Sequence, residues 1–397
     1  MVIQSNYVYT RIIVLFLLVF LSGCWDRVEI EERGFVIGSG IDLAEEQGGD
    51  HTQVTLTNQF VIPAGLGTPS EGGGAEQKAF TNLSASGNSV FDINRKMAKL
   101  TNRTPFYQHL KIIVLAEELV MKPYLLEDVM DLFIRDQEMR RGVHVVIAEG
   151  EARKILDIEP MKEKLPMLYI ESMLKNSYKN AEIIEEIHVD DIHLYLLDTK
   201  SYIIPLITME GNKIAYKGVA VFQGEEDRMV GSLVGDDLVG LNLVTGKVKE
   251  GSIEAEVEGK LMTLEILDAS RKIKVKSKSK EKVVFSVDIK IAASIAETFG
   301  SEDFTKKRTL KIIEKALKEK IHKIVNQAIV KVKDDLKVDA FRLSSELYQR
   351  HYPFWEEIEE DWDRGENIFS KSEIEVKVQT EIKNAGVTNR TEKEGEK

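Results

Sequence analysis

The stretch His109-Leu-Lys-Ile-Ile-Val-Leu115 decides the fold class, because it lies between two segments of a different period. Upstream, Val90, Ile93, Met97 and Leu100 recur at helical spacing, with Ser86 or Asn88 available as the N-cap. Downstream, Leu125, Leu126, Val129, Met130 and Phe133 do the same, and a second apolar run follows at Val143 to Ala148. Short apolar runs between helical patterns read as buried strands joined by helices. The spacing therefore predicts an α+β or α/β first half whose sheet is partly parallel. Glu151 to Leu156 and Leu165 to Tyr178 continue the helical pattern.

Working back from this stretch, Gly34 to Asp42 reads as a strand whose glycines mark a bend or a close approach. Thr52 to Val61 alternates Val54, Leu56 and Phe60 with Thr55 and Thr57, the pattern of a half-buried strand. Between that strand and the first helix, Pro63 to Gln77 is rich in Gly, Pro, Ser and Glu, so a flexible loop is expected over residues 63–79.

Working forward, a second unit is expected from about Tyr202. Lys213 to Phe222 reads as two short strands around a bend, followed by Met229 to Leu233 and several strands between Ile253 and Ile291. Lys272, Lys274, Lys276, Lys278, Lys280 and Lys282 recur at every second residue, which on a strand places them on one face. Such a face suits anionic headgroups or an acidic partner, but equally a solvated face or an edge protected by its lysines, and the second account is preferred. Leu310, Ile313, Leu317, Ile321, Ile324 and Ala328 form one apolar stripe on a long helix over 305–333, expected to pack on its own sheet. Phe341, Tyr348, Tyr352, Phe354, Trp355 and Trp362 are expected to form a core cluster at its end. In the last strand Ile374, Val376, Val378 and Ile382 alternate with charged residues, and 384–397 is polar enough to be disordered.

The N-terminus determines where this body sits. Arg11 precedes an apolar run from Ile12 to Leu21 that ends in Leu21-Ser-Gly-Cys24. The run is short of the roughly 20 apolar residues a membrane-spanning helix needs, and it has the proportions of a signal peptide. Cys24 is the sole cysteine of the 397 residues. Leu-Ser-Gly-Cys resembles the bacterial lipobox, which implies a diacylglyceryl group on Cys24, removal of residues 1–23, and possible N-acylation of the new terminus. Two or more acyl chains hold a protein stably at a bilayer, where a single chain does not.

The formal net charge is −12, and loss of Arg11 makes it −13, so net charge draws the body neither to nucleic acid nor to anionic lipid. No disulfide or thiolate metal site is available after residue 24. The motifs of phosphate loops, nucleophile elbows and zinc proteases are absent from the sequence. His188-Val-Asp-Asp-Ile-His193 brings two histidines and two aspartates together. However, a five-residue separation puts His188 and His193 on opposite faces of a strand, or about 140° apart on a helix, so no metal site is assigned. Glu185-Glu186, Asp334-Asp335 and Glu356-Glu357 read as helix surface charges. No catalytic residue and no cofactor is assigned.

Several islands together resemble the Ger(x)C family, the lipoprotein C subunits of bacterial spore germinant receptors. They are Cys24-Trp-Asp-Arg-Val-Glu-Ile30, Gly38-Ser-Gly-Ile-Asp42, Gln108 to Leu115 and Arg135-Asp-Gln-Glu-Met-Arg140 in the first half. In the second half they are Gly218-Val-Ala-Val-Phe222 with Met229-Val-Gly231, the Ser-Lys-Ser-Lys run at 277–280, Asp339-Ala-Phe341, Tyr352-Pro-Phe-Trp355 and Trp362. One departure is that Arg342 and Ser344 stand where glycines are expected. The resemblance implies a non-enzymatic, cofactor-free subunit on the outer face of the spore inner membrane. It would assemble with a multi-spanning A subunit and a transporter-like B subunit in the response to nutrients. It also implies two or three α+β domains, here placed at 24–200 and 201–383. A solute-binding lipoprotein of a transporter is the alternative, and an envelope hydrolase a third reading.

Overall fold

The structure is a computed structural model that describes residues 32–45, 52–67, 78–160, 163–176, 180–298 and 306–384. Its centre is the stretch that decided the fold class. Strand β5 (Ile112–Ala116) is buried at every position, as is β6 (His144–Ala148), and the two pair in parallel. A continuous apolar run without alternation is what a strand covered on both faces requires.

On the other side of β5 lies β1 (Arg33–Leu43), also parallel to it, and β1 continues antiparallel into β2 (Val54–Val61) and β3 (Phe80–Gly87). A short β4 (Thr104–Phe106) pairs with the start of β1. Among the described residues the sheet order is β3-β2-β1-β5-β6-β7-β8-β9, with β4 beside β1.

Helices cover both faces. Gly38 and Gly40 share one face of β1. A Cβ on Gly38 would collide with Met167 of α4 (Pro166–Leu174), and one on Gly40 would lie 3.1 Å from Leu156 of α3 (Ala152–Asp157). The intervening Ser39 faces the other way, towards α1 (Val90–Met97). There its hydroxyl donates to Asn58 Oδ1 at 2.8 Å, and Asn58 Nδ2 donates to the Tyr107 hydroxyl at 2.6 Å and lies 3.3 Å from Met97 Sδ. Leu125–Arg135 forms α2.

Several expectations are corrected here. β2 is not half-buried by alternation: Thr57, Asn58 and Gln59 are all fully buried, because helices pack over both faces and supply partners such as the Leu156 carbonyl, 2.8 Å from Gln59 Nε2. The N-cap of α1 is Ser89, since Ser86 is still paired within β3, and Leu100 lies past the helix end and is 61% exposed. Pro63–Leu66 forms one tight helical turn; residues 68–77 lie outside the described residues.

The sheet boundary is corrected as well. β7 (Tyr202–Glu210), β8 (Lys213–Gln223) and β9 (Arg228–Val234) complete the first sheet, with β7 parallel to β6 through Ile147–Leu206 and Ala148–Ile207. The second sheet therefore starts at Gly251, and the unit expected from about Tyr202 opens with strands of the first sheet. The apolar residues of β7 find their partners 59 positions back, a pairing no local pattern reveals. Lys213–Gln223 is one strand, and its bend is a bulge at Lys217, where pairing skips from Tyr216 to Gly218.

The second sheet runs β10 (Gly251–Val257), β11 (Lys260–Lys278), β12 (Val283–Thr298) and β13 (Glu373–Asn384), antiparallel except for β12 with β13. Val378 and Ile382 of β13 are buried. The long helix α7 (Lys307–Ile329) turns its expected stripe inward: Ile313, Leu317, Ile321, Ile324 and Ala328 are buried, and Thr380 Oγ1 of β13 donates to the Glu314 carbonyl at 2.8 Å. Its other neighbour is α6 (Asp236–Thr245), reached through Gly240, where a Cβ would sit 2.8 Å from the Ile324 carbonyl oxygen. α6 follows β9 directly, so the two halves share this helix pair. The α-helical span expected over 305–333 ends at Ile329 and continues as a π-helical turn over Val330–Leu336 that carries Leu336 over Gly231.

The aromatic cluster is smaller than expected. Phe341, Trp355 and Trp362 are buried, and Trp362 packs edge-on to Phe285 at 6.1 Å and Trp355 at 6.0 Å. Tyr348 and Tyr352, each 50% exposed, instead meet each other at the surface. Among the described residues no helix is long and apolar enough to cross a membrane.

Candidate functional site

Cys24, the expected lipid-attachment residue, lies outside the described residues, as do Trp25, Asp26 and the tail after Asn384. The islands that can be located prove to be architectural. Asp42, at the end of β1, accepts the backbone N–H groups of Ala152 at 2.6 Å and Arg153 at 3.0 Å. It closes the start of α3, and burial pushes its carboxyl up to about 6 against those donors. Asp339 plays the same part in the second half. Its Oδ1 accepts Leu343 N–H at 2.9 Å, and its Oδ2 accepts Ser344 N–H at 2.7 Å and the Trp362 indole N–H at 2.9 Å. This anchors α8 (Leu343–Arg350) to the aromatic core. Arg342, where a glycine was expected, takes a left-handed φ of 58°, and its guanidinium lies 5.7 Å from the Tyr195 ring.

The lysine run does not form one free face. A bulge at Lys276 breaks the period, β11 ends at Lys278, and Lys280 and Lys282 lie in the turn that follows. Lys276 pairs with Glu375, Lys282 with Glu373 at 2.7 Å and Lys280 with Glu357 at 3.1 Å. Lys278 lies 5.5 Å from the Phe354 ring. These lysines lie along β13 and the Phe354–Glu357 segment, in keeping with the preferred solvated-surface account.

The His188–His193 segment is more informative. His188 is the N-cap of α5 (Val189–Leu197), and Asp191 Oδ2 accepts its backbone N–H at 2.9 Å. Asp190 lies at the same helix start, where its carboxylate accepts Asp191 N–H at 3.1 Å. His193 points elsewhere, with Nδ1 3.4 Å from Arg141. The residue added by the fold is His144, the first of β6. It forms an antiparallel bridge with His188, and Ile187 O and Val143 O accept the flanking N–H groups of Val145 and Val189.

The two imidazole rings lie 4.6 Å apart. Glu186, read from sequence as a helix surface charge, is not helical. Its Oε2 lies 3.9 Å from His144 Nδ1 and 3.6 Å from His188 Nε2. Burial, and after it His188, push His144 down to about 4, so its ring is neutral at neutral pH. Glu171 stands nearby, paired with Lys175 at 2.8 Å and 3.7 Å from Lys111. His144 was hidden in the sequence because a histidine opening a buried apolar strand reads as core, and 44 positions separate it from His188. Glu186 and Asp191 also line a cleft with Tyr202 and, from beyond the first sheet, Lys247 and Arg342.

The fold thus defines a two-sheet α+β protein whose marked sequence positions hold its elements together. Comparison with known proteins gives the family. A family described as the spore germination protein N-terminal domain matches residues 26–209, and one described as spore germination B3/GerAC like, C-terminal, matches 217–386. The chain is similar to three proteins of Bacillus subtilis (strain 168). It is 27% identical to spore germination protein YndF, covering 94% of this chain and 96% of the relative. It is 26% identical to spore germination protein B3 and 28% to spore germination protein A3, each covering 95% of this chain and 98% of the relative. A crystal structure of the GerBC protein shares the fold, with a TM-score of 0.60 at 23% identity over 89% of this chain and 99% of that one. The chain belongs to the Ger(x)C family of spore germination proteins.

Proposed function

We propose that this chain is the lipid-anchored C subunit of a nutrient germinant receptor. The observation that carries the reading is the match to both halves of one spore germination family, in order, directly behind a lipobox cysteine at position 24. In this reading Cys24 bears a diacylglyceryl group and holds the body at the outer face of the spore inner membrane. There the body works with the multi-spanning A and transporter-like B subunits, by assembly rather than by catalysis and without a cofactor. The use of Asp42 and Asp339 as buried helix caps supports a scaffold role, since both carboxylates are occupied in holding the fold. A solute-binding lipoprotein would bring two like lobes around a hinge, whereas the described residues build sheets of nine and four strands.

The test is nutrient-triggered germination of spores carrying Cys24→Ala, with membrane fractionation alongside. Tethering raises the local concentration of the body at its partners. Release from the membrane with a reduced nutrient response is therefore expected. Full release with an unchanged response would overturn the tethered-subunit reading.

A further inference from the structure

Among the described residues, two buried side-chain polar atoms lack a hydrogen-bond partner, Gln59 Oε1 and His144 Nδ1. An atom left in that state costs about 1–3 kcal/mol, so a partner that supplies the missing interaction is favoured. Gln59 keeps two good bonds through its other atom, to Leu156 O and Asn82 Oδ1. His144 is different. It is only 5% exposed, and its bare Nδ1 faces Glu186 Oε2 at 3.9 Å, beyond hydrogen-bond reach.

That same oxygen lies 3.6 Å from His188 Nε2, and one ligand atom from each of the three residues falls within 4.8 Å of the others. A tetrahedral zinc ion with bonds of about 2.0–2.1 Å holds its ligand atoms roughly 3.3 Å apart, so small side-chain rotations close this set around an ion. The outer contacts also fit. Metal-bound histidines usually turn their second nitrogen to a carboxylate, and Asp191 Oδ2 lies 3.4 Å from His188 Nδ1. Glu186 and His188 are only partly buried, and Glu186 lines a cleft, which leaves a path for the ion and a position for water.

We propose that His144, Glu186 and His188 form a binding site for one divalent transition-metal cation, zinc foremost. Two imidazoles and one carboxylate with an open fourth position suit zinc, whereas calcium and magnesium prefer oxygen-only shells. Bound there, the ion ties the segment before α5 to the first residue of β6. It stands at the edge of the cleft that Arg342 and Lys247 also line. The site is independent of the receptor-subunit reading.

The experiment uses the untagged full chain in detergent, stripped with a chelator and then titrated with Co²⁺ by visible absorption and with Zn²⁺ by calorimetry. One equivalent of Co²⁺ should bind with the absorption of a tetrahedral site, and Zn²⁺ should displace it. Glu186→Gln and His188→Asn, checked for native circular dichroism, should each weaken binding by about tenfold or more. Asp190→Asn, outside the set, should bind as the unaltered chain does. No saturable binding at about millimolar cation, or wild-type affinity in Glu186→Gln, would overturn the proposal. So would loss of binding in Asp190→Asn of the same size as in Glu186→Gln, because the ion would then sit at the helix start instead.

Discussion

Replacing Asp339 by alanine tests the reading of the second half most directly. The substitution removes both acceptor oxygens and leaves Leu343 N–H, Ser344 N–H and the Trp362 indole N–H buried without partners. At about 1–3 kcal/mol each, the loss centres near 6 kcal/mol. Against this, the carboxyl is pushed up to about 6 by burial, with the neighbouring Asp363 adding to it and the N–H donors opposing. A shift from 3.8 to about 6 corresponds to roughly 3 kcal/mol of penalty for the ionised form at neutral pH, which the variant escapes. The expected net destabilisation near pH 7.5 is therefore about 3 kcal/mol.

The pH dependence has a definite sign. A carboxyl whose folded pKa is raised is costly when ionised, so its penalty is full above about 6 and fades as pH falls towards 3.8. The unaltered chain gains that stability on acidification and the variant cannot. The destabilisation should therefore be larger at about pH 5 than at about pH 7.5, by roughly 1.4 kcal/mol. Asp42 and Asp227, also raised, and His144, lowered, titrate in both proteins and cancel in the difference. Urea unfolding followed by the fluorescence of Trp355 and Trp362 measures both values. A destabilisation that shrinks at the lower pH would mean the fold favours the ionised carboxylate, and the burial argument would be refuted.

Two further outcomes follow from the packing. Gly38→Ala should cost about 1–3 kcal/mol, because the new Cβ collides with Met167 Cγ and lies 2.6 Å from its Sδ. Met167→Ala in the same chain should recover part of that loss, and an unchanged melting temperature in the single variant would show that α4 does not seat on β1. Lys276→Ala and Lys282→Ala should each change stability by less than about 1 kcal/mol, since both ion pairs are exposed and screened. A larger drop in thermal melting at either position would show that the pairs hold β11 and its turn to β13.

What could be read from the chain were the features whose cause is local. The apolar runs of β5 and of β6 after His144, the stripe of α7 and the alternation of β13 each follow from the period of the element that carries them. The lipobox-like Leu21-Ser-Gly-Cys24, on which the proposed anchor rests, is likewise a pattern of adjacent residues that needs no fold to be seen. β3 carries no such local pattern, because Phe80–Gly87 is mostly small and polar, and its reason for being a strand is its pairing with β2. The same holds for β7–β9, whose place in the first sheet depends on β6.

Burial at particular side chains also lay beyond local pattern. Asn58 and Gln59 are polar yet enclosed, while Leu100 and Tyr352 are apolar or aromatic yet open to solvent. Most of all, the meeting of His144, Glu186 and His188 required β6 to begin beside the segment that caps α5. Periodicity and motif act within a few residues, so short-range pattern is enough to place many of the elements. Strand pairing and desolvation depend on what lies across the sheet, and only the folded chain decided which strands share a sheet and which polar groups are brought together.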